Sequence, residues 1–245
     1  MLLYLLSINS NNFVVASPSV VKNVVVVEKW IRHNGFERPF HPLQIISWIV
    51  FGYNLLIFYF VDMVSLSYNP ILVVLLSILY LVLSIGVVYY CVKATKADPS
   101  DPTIKMQKDT EARGEVFDGK DYDFECEICD TAVLNTAKHC GACNRCTNGF
   151  DHHCRWLNNC IGSENYLLFF RLIVVVFLAS VVHNLANAAV LVHMIREHEP
   201  LFDSHQQFYK RVFTAEFKIV IGIAMFFNFC TFLFLGHLIY FHIFL

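Results

Sequence analysis

Charge is scarce in this chain. Only 16% of its 245 residues are Asp, Glu, Lys or Arg, against 56% hydrophobic. A water-soluble domain of this length needs a mixed polar surface, so the balance places the chain among membrane proteins. Basic clusters are scarce too. There is no Lys/Arg stripe to meet a phosphate backbone, and no nucleic-acid partner is expected. No basic residue precedes Lys22, and the first apolar run, Met1 to Leu6, is short. Both features argue against a secretory signal peptide, and residues 1–27 are expected as an irregular N-terminal extension.

What the chain does have is four long apolar runs. They are Leu43 to Leu66, Pro70 to Val92, Leu167 to Met194, and Ile219 to Leu245. A helix needs about 20 apolar residues to cross about 30 Å of hydrocarbon, and each run is long enough. Arg171 sits near the start of the third, where it can snorkel to the headgroups. The Lys/Arg bias sets orientation. Lys22, Lys29, Arg32 and Arg38 precede the first run, and Lys93, Lys96, Lys105 and Lys108 follow the second. The first hairpin, Ser67 to Asn69, has no basic residue, while Arg196, Lys210, Arg211 and Lys218 make the last loop less decisive. Both termini and the middle segment are expected to be cytosolic.

The expected segments are therefore a cytosolic N-terminal stretch (1–42), helices one and two (43–92), a charged solvated linker (93–125), a cysteine-rich domain (126–166), and helices three and four (167–245). Seven of the nine cysteines lie between Cys126 and Cys160. Apolar residues there are few: Ile128, Val133, Leu134, Phe150, Trp156, Leu157 and Ile161. That is too little surface to fold about 35 residues unaided. Disulfides do not persist in a reducing cytosol. The pairs Cys126-x2-Cys129, Cys140-x2-Cys143 and Cys143-x2-Cys146, with His139 adjoining, instead have the spacing of structural zinc ligands.

The segment holds seven Cys and three His, of which two zinc ions would use eight. If residues 151–154 are extended, His152 and Cys154 share one face and His153 the other. Should His153 bind zinc, His152 and Cys154 remain, an arrangement that activates a thiol nucleophile. Spacing alone leaves the reverse open, with Cys154 as a ligand.

The stretch "CEICDTAVLNTAKHCGACNRCTNGFDHHCRWLNNCIGSENY", residues 126–166, resembles the cysteine-rich domain of DHHC protein S-acyltransferases (palmitoyltransferases). The layout of four helices, with this domain between the second and third, is similar as well. The resemblance implies an all-α polytopic membrane protein with a cytosolic zinc-stapled domain. It implies one structural zinc on Cys126, Cys129, His139 and Cys146, and another on Cys140, Cys143, His153 and Cys160. It also implies Cys154 as nucleophile, His152 as its base and Asp151 as the carboxylate orienting the imidazole. The expected activity moves a long-chain acyl group from acyl-CoA, through a Cys154 thioester, to cytosolic cysteines of membrane-associated proteins. The acyl chain would lie among the helices of an endomembrane, Golgi or endoplasmic reticulum.

Four departures stand beside the likeness. The family's Lys-Pro-x-Arg is replaced by Val133, Leu134, Asn135 and Thr136. The usual Pro after the motif is Arg155, as in a branch with a basic residue there. Asp-Pro-Gly appears as Asp98-Pro99-Ser100. The Thr-Thr-x-Glu motif expected after helix four is missing, and a truncated product is expected. These departures motivate a rival reading, a catalytically weak or inactive zinc-stabilised membrane adaptor.

Outside the motif, Asn165 is expected either to tie the domain to helix three or to cap that helix. His183, Asn184, Asn187, His237 and His242 are expected to bond neighbouring helices rather than line a catalytic path. Cys91 is expected to remain unmodified.

Overall fold

The computed structural model describes residues 20–21, 24–25, 30–120, 122, 124–196 and 215–244. It falls into two compact units, one of residues 1–41 and 95–165, the other of residues 42–94 and 166–245. Strands β1 (Val20–Val21) and β2 (Val24–Val25) pair antiparallel. The rest of the expected N-terminal extension, with Lys22 and Lys29, lies outside the described residues, as do Lys210 and Arg211.

The second unit holds the apolar runs. Helix α1 (Pro42–Ile57) passes through a π turn (Phe58–Asp62) into a short α2 (Met63–Ser65). After a tight turn come α3 (Pro70–Lys96), then α5 (Tyr166–Arg196) and α6 (Ala215–Phe244). Among the described residues four spans are long and apolar enough to cross a membrane: Pro42–Ser65, Pro70–Lys96, Tyr166–His193 and Gly222–Phe244. The chain is a polytopic membrane protein. Pro70 needs no amide partner at a helix start, and the Asn69 carboxamide accepts from the Leu72 amide at 3.1 Å. Outward side chains such as Ile71, Phe226 and Phe241 are exposed apolar surface suited to lipid.

Inside this unit, Phe58 stacks on Tyr80 with ring centroids 3.8 Å apart. Both pack with Ala179, Val182, Ala186 and Val190 on one face of α5. Small residues on that face let the helices approach closely. A polar node interrupts the apolar core. His183 Nε2 lies 3.0 Å from the fully buried Asp62 carboxylate. Asn228 Nδ2 lies 3.3 Å from the other ring nitrogen of His183. His183 thus bonds across helices as expected, whereas Asn184 turns back to the Ser180 carbonyl of its own helix. His242 meets the Tyr166 hydroxyl at 3.0 Å. Asp62→Ala leaves the buried imidazole without its acceptor and is expected to cost about 1–2 kcal/mol. A lowered thermal midpoint in detergent, with Asp62→Asn closer to wild type, is the expected reading. An unchanged midpoint for Asp62→Ala would contradict the node.

The first unit carries seven of the nine cysteines, and the charged stretch 93–125 is not simply a solvated linker. Residues Pro102–Ala112 form α4, with Pro102 at its first position. Asp101, fully buried, caps it: one carboxylate oxygen accepts from the Thr103 amide at 3.0 Å, the other from the Leu134 amide at 3.3 Å. The Thr103 hydroxyl donates to the Ala132 carbonyl at 2.7 Å. Residues 30–41 are stitched to the same unit. The Arg32 amide donates to the Cys143 carbonyl and the Gly35 amide to that of Thr95. A Cβ on Gly35 would overlap the Leu157 carbonyl, so only glycine fits this crossing.

Candidate functional site

Three antiparallel hairpins build the cysteine-rich domain. They are β3 (Phe124–Cys126) with β4 (Thr131–Val133), β5 (Lys138–Cys140) with β6 (Arg145–Thr147), and β7 (His152–Cys154) with β8 (Asn159–Ile161). Each has three-residue strands around a four-residue loop. Each loop ends on a residue with positive φ: Asp130 (53°), Asn144 (52°) and Asn158 (53°). Asp and Asn tolerate this left-handed conformation better than other side chains. The unit repeats every fourteen residues: Cys126, Cys140 and Cys154 end the first strands in turn.

The repeat explains how the ligand groups interleave. The first hairpin brings Cys126 and Cys129 to one cluster, and the second completes it with His139 and Cys146, paired across the strands. The second loop then starts another cluster with Cys140 and Cys143. The third hairpin completes that one with the cross-strand pair His153 and Cys160. Within each group the donor atoms all lie within 4.8 Å of one another. The measured edges run from 3.3 Å (Cys129 to His139) to 4.0 Å (Cys146 to His139) in the first. They run from 3.4 Å to 3.7 Å in the second. A tetrahedron with zinc–sulfur bonds of about 2.3 Å has edges of about 3.8 Å, so each donor set fits such an ion.

Acid–base chemistry agrees with the fit. The hydrogen bond with Cys146 pulls Cys129 down to about 5, and the same contact holds Cys146 up as a thiol. In the other cluster, contacts with Cys143 and then Cys160 push Cys140 strongly down, while Cys140 holds Cys143 up. Sulfurs this close compete for shared protons, and a divalent cation replaces those protons for all of them.

Cys154 stands at the ligand position of the third hairpin, yet it belongs to neither cluster. The place of a second cysteine in its loop is taken by Leu157, 3% exposed and part of the apolar packing. Among the described residues no fourth hairpin follows to supply a His/Cys pair. The thiol is itself buried. Two residues before it on the same strand, His152 points to the same face. Its Nδ1 bonds the Asp151 carboxylate at 2.6 Å, which leaves Nε2 as the other ring nitrogen. The hairpin is pinned from below: the Asp151 amide donates to the Ile161 carbonyl. Asn165, fully buried, accepts from the Gly162 amide at 3.0 Å and donates to the Cys160 carbonyl at 2.9 Å. Asn165 therefore closes the turn after β8.

The eight residues expected as ligands are thus gathered in two groups of four, and outside them Asp151 bonds His152, which shares strand β7 with Cys154. Sequence reasoning missed Arg145, Asn158 and Asn159, which hold the hairpins against residues 33–39 and 95–100. The fourteen-residue period, visible in the chain itself, would have shown that 145 and 159 are equivalent positions.

Comparison with known proteins agrees with this arrangement. A family model described as "DHHC palmitoyltransferase" matches residues 120–245, just over half of the chain. The human "Probable palmitoyltransferase ZDHHC11B" is 28% identical over 164 residues, covering 63% of this chain and 43% of that protein. The Arabidopsis thaliana "Probable protein S-acyltransferase 6" is 31% identical over 148 residues, 59% of this chain and 32% of its own length. The Bos taurus "Palmitoyltransferase ZDHHC4" is 49% identical over 51 residues, 20% of this chain and 15% of its own. The chain spans less than half the length of these curated relatives. With its hairpins, its paired ligand clusters and the Asp-His-His-Cys stretch all inside the matched region, the chain belongs to the DHHC palmitoyltransferase family.

Proposed function

We propose that this protein is a protein S-acyltransferase that carries a long-chain acyl group from acyl-CoA to protein cysteines by way of Cys154. The observation that carries the reading is the placement of Cys154. It occupies a metal-ligand position in a hairpin that offers no site, on the strand face of an imidazole already bonded to a carboxylate.

In this reading His152 takes the Cys154 proton at Nε2, and Asp151 holds the ring through Nδ1–H and stabilises the imidazolium. The thiolate attacks the thioester carbonyl of acyl-CoA. The carbon–sulfur bond to CoA breaks, and the departing CoA thiolate takes the proton from His152. A substrate cysteine then gives its proton to His152 and attacks the acyl-enzyme, releasing Cys154, which is reprotonated. One thioester is exchanged for another, so no other energy source is needed. Zinc on the two four-residue groups would fold and fix the hairpins without touching the reacting atoms. The Lys/Arg bias supports a cytosolic domain, and in this reading the membrane is an endomembrane and the acceptors are membrane-associated proteins.

The rival adaptor reading is not favoured, because the relatives are named palmitoyltransferases and Asp151, His152 and Cys154 are all present. Purified chain incubated with labelled palmitoyl-CoA is expected to take up hydroxylamine-labile label and release CoA. His152→Ala is expected to slow that uptake by about 100-fold or more. Absence of label in the wild-type chain would refute the proposal. Equal rates in the variant would refute the role of His152.

A further inference from the structure

Arg145 is the largest fully buried side chain among the described residues, 1% exposed. A buried guanidinium persists only with several partners, and this one gathers them from three separate stretches of chain. Its Nη1 reaches the His33 carbonyl at 2.9 Å, the Ser100 hydroxyl at 2.8 Å and the Asp98 carboxylate. Its Nη2 donates to the Asn159 side-chain oxygen at 2.9 Å. Asn159, fully buried, passes the connection on, donating to the carbonyls of Ala97 at 2.8 Å and Thr95 at 3.2 Å. In the strand register Asn159 is the residue opposite Cys154.

The backbone repeats the tie. The Asn148 amide bonds the Pro99 carbonyl, the Asp101 amide bonds the Cys146 carbonyl, and Ser100 bridges Thr147. The Asp98-Pro99-Ser100 turn therefore lies along β6, and Ser100 folds onto Asp98 through a 2.6 Å hydroxyl bond. Neither metal cluster includes any of these side chains. Each cluster joins two successive hairpins, the second tying the third hairpin to the second, while the Arg145 network adds the connection from both to residues 33 and 95–100.

We propose that Arg145 is a positioning residue for the reaction, acting through Asn159 to place the Cys154 strand. The inference rests on the reading of Cys154 as the nucleophile. A nucleophile misplaced by about 1 Å loses rate by up to about 100-fold while the metals stay bound. Arg145→Met removes the whole network. Arg145→Lys keeps a charge for Asp98 but has no second arm for Asn159. Asp98→Asn, at a half-exposed side chain, loosens the guanidinium without emptying the core.

The test measures zinc per chain and the autoacylation kcat and KM for palmitoyl-CoA, using the full chain in detergent. Arg145→Met is expected to retain two zinc ions and lose about 10- to 100-fold in kcat, with KM within about twofold of wild type. Arg145→Lys should recover part of the loss, and Asp98→Asn should show a smaller fall in kcat. Wild-type kcat in both Arg145→Met and Asp98→Asn overturns the proposal, as does zinc lost in step with activity in both. Should Arg145→Met fail to hold zinc, Asp98→Asn decides: reduced kcat with two zinc ions supports positioning, and wild-type kcat overturns it. A wild-type chain that forms no acyl-enzyme overturns the acyltransferase reading together with this one, whereas normal wild-type uptake with unaffected variants overturns this one alone.

Discussion

Cys154→Ser is expected to abolish acyl-enzyme formation while leaving two zinc ions per chain. The substitution keeps size and shape, so the buried pocket at 6% exposure is not disturbed. It replaces a thiol by a hydroxyl, a far weaker acid and nucleophile. Because Cys154 stands outside both ligand groups, the metal content has no reason to change. Hydroxylamine-sensitive labelling from palmitoyl-CoA should fall to background, with zinc quantified on the same sample. Labelling that persists at another cysteine would show the nucleophile to be elsewhere.

The second large effect is the opposite one. Cys143→Ser is expected to lose one zinc and unfold the hairpins around it. Cys143 is fully buried, and its sulfur lies 3.4 Å from both Cys160 and His153. The apolar core that would otherwise hold residues 124–165 is small: among fully or nearly fully buried side chains it offers Val133, Leu157 and Ile161. Structural zinc supplies about 10–16 kcal/mol in small domains, far more than such a core. Protease protection of the segment and one equivalent of zinc should disappear together, taking acylation with them. A chelator strong enough to strip zinc should reproduce the result in the wild-type chain. Retention of two zinc ions in Cys143→Ser would contradict the ligand assignment. The two cysteine variants are thus both inactive, and metal content separates them.

Much of this was legible in the chain. Long apolar runs mark membrane helices because lipid forces every residue of a span to obey one rule, and the span from α1 through α2, with α3, α5 and α6, begins and ends within a few residues of the runs. The ligand residues were legible because metal geometry demands fixed short spacings. The hairpins were not, since strands of three residues are too short to show alternation and a third of their positions are metal ligands. Asp98 and Asp101 read as solvated charges of the 93–125 segment, and Arg145 drew no reading. The burial of Arg145 and Asp101 goes with a tertiary network joining residues 33, 98–101, 145 and 159, which no local pattern announces. The polar node of Asp62, His183 and Asn228 lay between: His183 stood out in an apolar run, but its pairing with Asp62 and Asn228 needed the helices in place.

The central claim is a division of labour among ten Cys and His side chains, eight for metal and two, His152 and Cys154, for chemistry. Locating the thioester by mass spectrometry, with zinc counted natively in the same wild-type sample after exposure to palmitoyl-CoA, tests it most directly. The expected result is a single acyl group on Cys154 with two zinc ions still bound. An acyl group on any other cysteine, or one on Cys154 accompanied by the loss of a zinc ion, would contradict it.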